Sequence, residues 1–232
     1  MKKQDFIDAC HERFLVSELN YVPKDKALSE ELIGAQIFDL SLIGFATADD
    51  ARFAGLQDES VVGPHFRLPH EWLPHARSVV LFFFPIAENL RESNRLDACF
   101  PSNGWLNARI EGQAFINAFS AEVAMMLEAE GFRTLAPTLD PAYVTTVDEA
   151  SEDLTRLYSS NWSERHVAYI CGLGTFGLSG SLITAQGTAG RMTSLVTEAP
   201  FEPSARRPAR FDEDCIRCGA CEPKCPFGAI VR

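Results

Sequence analysis

Four cysteines near the end of the sequence have the residue type and spacing that bind an iron–sulfur cluster. They form the run C-x2-C-x2-C-x3-C-P, made by Cys215, Cys218, Cys221, Cys225 and Pro226. Thiolates hold the irons of a [4Fe–4S] cluster, and this spacing is the bacterial-type ligand pattern. A zinc site or a disulfide framework fits less well, because zinc ligands usually come as two separated pairs. The sequence therefore predicts a redox protein that carries a [4Fe–4S] cluster.

The fourth ligand of this cluster is less well determined than the other three. In proteins with two clusters, the fourth cysteine of such a run binds the other cluster. The sequence contains no second run of this kind. Cys225 is the nearest candidate and is taken as a ligand with the first three, whereas Cys10, Cys99 and Cys171 are the alternatives.

A glycine-rich stretch upstream is the second candidate site. Gly172, Gly174 and Gly177 match G-x-G-x-x-G, and Glu198 follows at the end of a predicted strand, as in a dinucleotide-binding fingerprint. That fingerprint must open a helix, whereas residues 178–190 contain further glycines, each costing about 1 kcal/mol relative to alanine in a helix. We therefore predict no NAD site, but a loop whose accessible backbone lets a flat ligand come close.

Hydrophobic periodicity predicts the elements that must position these two sites. Helices are predicted over Lys3–Leu19, with Cys10 on its buried stripe, and over Asn107–Gly131. The buried face of the second helix is predicted to carry Ile110, Ala114, Phe115, Ala118, Phe119 and Val123. Strands are predicted at Leu40–Ala46, Val79–Ile86, Phe132–Leu139 and Met192–Thr197.

Three less regular segments connect these elements. The stretch Gly63–Pro74 reads as a surface loop, because the spacing of His65, His70 and His75 suits no metal site. The polar segment Asp148–Ser160 is predicted to be an exposed helix or loop, and Phe201–Arg210 a linker to the cysteine module. Arg206, Arg207 and Arg210 make the linker basic, either as a solvated segment or as a docking point for an acidic electron donor.

Composition narrows the class of partner. The net charge of −11 disfavours nucleic acid and anionic membrane surfaces as partners. The longest apolar run, Val79–Ala87, is far shorter than the ~20 residues of a transmembrane helix. The N-terminus has no signal-peptide pattern, and clustered thiols then point to the cytoplasm.

The segment 164–198 (ERHVAYICGLGTFGLSGSLITAQGTAGRMTSLVTE), followed by the cysteine run, resembles the domain shared by epoxyqueuosine reductase and the corrinoid-dependent reductive dehalogenases. The resemblance implies an α+β fold: a nitroreductase-like core sheet flanked by helices, with a small C-terminal ferredoxin-like [4Fe–4S] module. Residues 1–200 would form the corrinoid-binding or flavin-binding domain, and residues 201–232 the linker and the cluster module.

The resemblance also implies a cofactor site and a role for the cluster. Cobalamin would lie against Gly172, Leu173, Gly174, Thr175, Phe176, Gly177 and His166, and the cluster would deliver electrons to it. For His166, a ligand-facing role and a packed or solvated one both stay open. FMN is the alternative cofactor, because the same core fold commonly holds it. A plain electron carrier and a purely structural cluster are the further alternatives.

The resemblance implies the class of partner but not which reaction, if any, the protein catalyses. The expected partners are an electron-donor protein and a small-molecule cofactor or substrate, and a homodimer stays open. The stretch WLNARIEGQAFINAF around Phe115 contains no Asp or His to match the stretch that supplies the catalytic acid in epoxyqueuosine reductases. A second cysteine cluster motif and a basic tRNA-binding extension are also absent from the sequence. The sequence therefore nominates no catalytic acid, and leaves open whether the protein is itself an enzyme or reduces a corrinoid for another one.

Overall fold

A four-stranded antiparallel sheet forms the centre of the protein in the computed structural model, which describes residues 1–96, 100–147, 158–225 and 227–230. Its strands lie in the order β1-β2-β8-β3, with bounds Leu42–Thr47, Ser78–Pro85, Gly190–Thr197 and Thr134–Leu135. Two small hairpins pair β4 with β5 and β6 with β7, at Thr145–Val147, Tyr158–Ser160, Gly174–Phe176 and Leu182–Thr184. Most of the predicted segment 148–160 lies outside the described residues.

Helices cover both faces of the sheet. In chain order, α1 to α6 span Lys3–Val16, Ala51–Gly55, Pro69–Trp72, Glu88–Ser93, Asn103–Ala129 and Glu164–Ile170. Short 3-10 helices lie at Glu18–Asn20, Glu30–Leu32 and Pro137–Leu139. This mixed α/β architecture confirms the predicted sheet flanked by helices. In the described ranges, none of these helices combines the length and hydrophobicity of a transmembrane span.

Strand β2 is apolar along its whole length because both of its faces are covered. Every residue of the strand, SVVLFFFP, is buried. Val80, Phe82 and Phe84 point into a cluster with α1 and α5, whereas Val79 and Leu81 point into a second cluster with α2, α3 and α6. A continuous apolar run is what burial on two faces requires of a strand.

The long helix α5 confirms one prediction and corrects another. The helix begins at Asn103, earlier than predicted, because the Ser102 hydroxyl accepts a hydrogen bond from the Trp105 amide and caps it. Its buried positions include Phe115, Phe119 and Val123 as predicted. Ile110, Ala114 and Ala118 are exposed or half-buried instead, and the buried face continues through Ala108, Gly112, Ile116 and Leu127.

Proline explains two smaller differences from the predicted elements. The predicted loop at 63–74 contains α3, because Pro69 is pre-organised for the first turn of a helix. The predicted strand at 132–139 shortens to the two residues of β3, since Pro137 lacks an N–H and starts a 3-10 helix. His65 bonds to Ser159 and His70 to Asp49, so the structure places these histidines in surface contacts.

The segment after β8 is irregular, and its first residues pack against the core, whereas Arg206, Arg207 and Arg210 are exposed. Phe201 is buried, and its ring contacts Phe6 of α1. The Ser204 amide donates to the Phe45 carbonyl, and the Ser204 hydroxyl accepts from the Phe45 amide, both at 2.9 Å. These bonds cover the free edge of β1.

Replacement of Gly112 by alanine tests the packing of α5 on the sheet. A Cβ at this position would lie 2.6 Å from the Phe38 ring. We expect G112A to lower the free energy of unfolding by about 1–3 kcal/mol through overpacking, although alanine is the better helix former. Urea unfolding followed by circular dichroism measures the change. The control is G55A in α2, where a Cβ meets no atom within 4 Å, so equal destabilisation by both variants would contradict the prediction.

Candidate cluster module and cofactor cavities

The glycine-rich stretch forms a helix end and a hairpin, not a dinucleotide-binding turn. Helix α6 ends at Ile170, and Gly172 follows with φ of +79°, a conformation that favours glycine. Strand β6 then begins at Gly174 and pairs with β7. The residues after Gly177 form a turn and strand β7, where a dinucleotide fingerprint would need the start of a helix.

Two of these glycines allow close approach of the protein's own backbone. A Cβ on Gly172 would lie 2.5 Å from the Arg206 carbonyl oxygen, and one on Gly174 would overlap the Ile183 carbonyl. Gly44 of β1 gives the same kind of space to Cys171, whose carbonyl oxygen would lie 2.8 Å from a Cβ. Gly177, in contrast, lies beside a cavity described below.

The C-terminal segment adds to the β6–β7 hairpin through backbone and side-chain bonds. The Phe176 amide donates to the Phe211 carbonyl at 2.6 Å. The buried Thr175 hydroxyl donates to the Asp214 carboxylate at 2.9 Å and accepts from the Asp214 amide at 2.8 Å. Arg206 donates to both oxygens of the same carboxylate at 2.7 Å. These contacts, which we call the Thr175–Asp214 clamp, hold the residue directly before Cys215.

A second set of charged bonds ties the segment to the core. Asp50 caps α2 and accepts from Arg52, which also donates to the Ile170 carbonyl at 2.8 Å. Arg207 donates to the same carboxylate at 2.7 Å. Burial alone would raise the pKa of Asp50, but the hydrogen bonds from both arginines hold it well below its usual range. The carboxylate is therefore ionised and binds both cations.

The four cysteines of the predicted ligand run all lie in the C-terminal module. Cys218 is exposed, and Cys215, Cys221 and Cys225 are half-buried. The Cys225 sulfur accepts from the Ala229 amide at 3.3 Å, and backbone hydrogen bonds from Ala229 and Phe227 lower its pKa, which favours the thiolate. In the described part of the chain, no three Cys, His, Asp or Glu side chains are arranged to hold a metal ion. The spacing of the run thus carries the ligand assignment.

The alternative fourth ligands that the structure describes lie in the cores. Cys10 packs in the first cluster beside Phe6 and Phe14, as predicted for that helix, and burial raises the pKa of its thiol to about 12. Cys171 is buried in the second cluster, and burial likewise raises its pKa. Cys99 lies outside the described residues.

A cavity of about 560 Å³ lies between the hairpin and the cysteine module, and we call it the module cavity. Its lining residues are Gly177, Leu178, Phe211, Asp212, Cys215 and Arg217. Leu178 and Phe211 present apolar surface there, with Phe211 65% exposed. Arg217 is paired with Asp212 at 2.6 Å. The cavity therefore offers an apolar surface next to the first cysteine of the run.

A second cavity of about 560 Å³, the hairpin cavity, lies against α6, the β4–β5 hairpin and Val61–Val62. Its wall includes His166, Phe176, Gly180, Tyr143 and Tyr158. The His166 ring lies 4.9 Å from the Phe176 ring, and its Nδ1 lies 2.7 Å from the Ser163 hydroxyl. Burial, aided by Arg165, lowers the pKa of His166 to about 4, so the imidazole is neutral near pH 7.

The acid beside this histidine points away from both cavities. One carboxylate oxygen of Glu164 accepts from the Ser194 amide at 3.2 Å, and the other is buried without a hydrogen-bond partner among the described residues. Burial raises the pKa of Glu164 to about 7. The carboxyl lies against β8, and neither cavity is lined by it.

The seven predicted cofactor residues therefore separate into four groups. His166 and Phe176 line the hairpin cavity, and Gly177 lines the module cavity. Thr175 belongs to the clamp, whereas Gly172, Leu173 and Gly174 pack against the protein itself. Sequence reasoning missed the remaining cavity residues, chiefly Tyr143, Tyr158, Leu178, Phe211 and Arg217. Their segments are far apart along the chain, and no local motif marks them.

The Thr175–Asp214 clamp can be tested by removing one hydroxyl. We expect T175V to leave the Asp214 amide without its partner, at a cost of about 1–3 kcal/mol. The module should then open more often, so trypsin should cleave after Arg206 and Arg210 about tenfold faster, as followed by mass spectrometry. The control is T184V, which removes a buried hydroxyl bonded to Gly187 in the same hairpin, away from the module. Equal cleavage rates for T175V and the parent would contradict the clamp.

Comparisons with known proteins agree with this geometry. Residues 209–231 match the 4Fe-4S binding domain family. A search of curated proteins gives no significant match. Among solved structures, epoxyqueuosine reductase with a modified tRNA-Tyr stem loop shares 18% identity at a TM-score of 0.55, over 98% of this chain and 52% of that one.

Two further structures share the fold at low identity. Epoxyqueuosine reductase from Streptococcus thermophilus is 15% identical at a TM-score of 0.51, over all of this chain and 54% of that one. A catabolic reductive dehalogenase in complex with 3-bromo-4-hydroxybenzoic acid is 14% identical at a TM-score of 0.51, over 98% of this chain and 30% of that one. The chain thus spans about half the length of the reductases. It has the fold of these reductases and carries a 4Fe-4S binding domain at residues 209–231.

Proposed function

We propose that the protein binds a corrinoid in the module cavity and reduces it with electrons from a [4Fe–4S] cluster held by Cys215, Cys218, Cys221 and Cys225. One observation carries this proposal. Cys215 and the glycine hairpin line the same cavity, so a cofactor bound there would lie directly beside a cluster ligand. Clusters of this type pass single electrons at potentials anywhere from roughly −700 to +450 mV.

The cysteine module suits a cluster through its donor chemistry. Four thiols in one short run match the residues of the 4Fe-4S binding domain. Backbone amides already donate to the Cys225 sulfur, and such hydrogen bonds stabilise thiolate ligands. Cys10 and Cys171 lie in the hydrophobic cores with raised pKa values, which supports Cys225 as the fourth ligand.

The module cavity suits a flat, largely apolar ring. Leu178 and Phe211 expose apolar surface that a macrocycle would cover, and Gly177 places no side chain in its way. A bound corrinoid would supply a cobalt centre that accepts single electrons. The chain's own part is to hold the ring beside Cys215 through the Thr175–Asp214 clamp.

The hairpin cavity is the proposed place for a small-molecule substrate. It shares one turn with the module cavity, since Phe176 and Gly180 line the first and Gly177 and Leu178 the second. Neutral His166 and the hydroxyls of Ser163 and Thr145 can hydrogen-bond a polar group there. The net charge of −11 argues against tRNA as the substrate. In this proposal a separate electron-donor protein reduces the cluster, and the protein works in a reducing compartment such as the cytoplasm.

Removal of single thiols tests the ligand set. We expect C225A to lose most of its iron and acid-labile sulfide, because three thiolates leave one corner of the cluster unligated. C10A and C171A, at buried positions outside the module, should keep the full cluster content per folded protein. Iron and sulfide analysis of anaerobically reconstituted protein gives the measurement. A full cluster in C225A together with its loss in C171A would overturn the assignment.

Titration with hydroxocobalamin tests the corrinoid site. We expect the visible spectrum of the corrinoid to change on binding. When the cluster has first been reduced and the excess dithionite removed, one electron per cobalt should pass from the cluster to the corrinoid. L178D should weaken binding at least tenfold by placing a carboxylate against the apolar ring, while the electron paramagnetic resonance signal of the cluster stays unchanged. L19D, at an exposed position outside both cavities, is the control.

Other outcomes of the titration point to the alternatives. A tightly bound yellow chromophore in the purified protein would indicate that the cofactor is FMN and not a corrinoid. If the cluster is reduced reversibly but the protein binds neither corrinoid nor flavin, the protein would be an electron carrier. A redox-inactive cluster whose removal unfolds the chain would make the cluster structural.

A further inference from the structure

Arg191 is the second residue of β8, and its side chain contacts α5. It lies opposite Phe84 in the β2–β8 pairing. Its guanidinium donates to the side-chain oxygen of Gln113. The amide nitrogen of Gln113 in turn donates to the Asn117 side chain at 2.8 Å, which fixes the amide with its oxygen toward the arginine. The guanidinium is therefore held in one orientation.

This half-buried cation has no acidic partner among the described residues. The recorded ion pairs of the described chain bring carboxylates to Arg52, Arg91, Arg206, Arg207, Arg210 and Arg217, but none to Arg191. Its Nε is enclosed by the protein and has no hydrogen-bond partner among the described residues. A partly buried cation without a counter-charge costs free energy, and an anion bound at the exposed side of the guanidinium would lower that cost.

A second arginine makes the local excess of positive charge larger. Arg109 lies one helical turn before Gln113 on α5 and is exposed. Burial and the charge of Arg109 both lower the pKa of Arg191. The chain has a net charge of −11, yet neither of these two arginines is paired with a carboxylate of the residues that the structure describes.

We propose that Arg109 and Arg191 form a binding site for a phosphate group, with Gln113 holding Arg191 in place. A guanidinium presents a planar fork of N–H donors that matches the oxygens of an oxyanion. Arg191 supplies a partly desolvated donor set that Gln113 holds in place, and Arg109 supplies an exposed one from the solvent side. A tetrahedral phosphate accepts from both at once, whereas a carboxylate is satisfied by one fork.

The group could arrive as free phosphate or as part of a larger molecule. Inorganic phosphate represents the free ion and monoesters, and dimethyl phosphate represents a phosphodiester. The site lies outside both cavities described above, so its test does not depend on corrinoid binding.

Calorimetric titration of the cluster-loaded protein with each probe, at constant ionic strength set with potassium chloride, tests the proposal. We expect saturable binding of at least one probe, weakened at least tenfold in both R109Q and R191Q. R133Q removes the same charge from an exposed arginine beside the opposite end of β8 and should bind like the parent. Thermal unfolding should show a matching rise of the midpoint with the bound probe.

The two probes distinguish a free ion or monoester from a diester. Binding of inorganic phosphate alone assigns the site to a free ion or a monoester, and equal binding of dimethyl phosphate assigns it to a diester. Equal affinity in the parent, R109Q and R191Q, or no saturable binding of either probe, would overturn the proposal. If R191Q loses its circular dichroism spectrum, the exposed-site variant R109Q decides alone.

Discussion

The position of the cysteine module depends on one backbone hydrogen bond and the clamp beside it. The Phe176 amide and the Phe211 carbonyl continue the β6–β7 hairpin into the C-terminal segment. Because Thr175 and Asp214 bond in both directions, the two segments are fixed in register as well as in distance. Without these bonds, Cys215 and Leu178 would not line a common cavity, and electron transfer would lack a defined geometry.

The clamp itself rests on a rigid core. Phenylalanine rings from α1, β2 and α5 contact one another on one face of the sheet, with Phe84 touching Phe14, Phe38, Phe82, Phe115 and Phe119. On the other face, Trp162 packs between Phe53 and Phe66, and its indole donates to Ser194 of β8. Aromatic pairs add to the free energy of burial by virtue of their geometry. The β6–β7 hairpin and α6 therefore pack against a sheet whose two faces are both covered by aromatic side chains.

The sequence predicted the parts of this structure that depend on local pattern. The apolar run of β2, the helix α5 and the cysteine spacing each carry a signal within a few residues. The predicted orientation of α5 was wrong in part, because Gly112 is buried for reasons of close approach to Phe38, not hydrophobicity. The cavities could not be predicted, since Tyr143 and Phe211 reach them through tertiary contacts alone. The glycines were assigned to a ligand, yet Gly172 and Gly174 make room for the chain's own backbone.

The order of strands in the central sheet has a consequence for synthesis on the ribosome. Strand β2, at residues 78–85, pairs along its length with β8, at residues 190–197. A nascent chain that has released β2 must therefore wait for most of the remaining sequence before this edge is satisfied. During that interval a Phe-rich segment with bare amides and carbonyls is available to other chains, which is the condition for strand-mediated aggregation. Slow translation or high expression should thus favour inclusion bodies, and co-expressed holdase chaperones should raise the yield of folded protein.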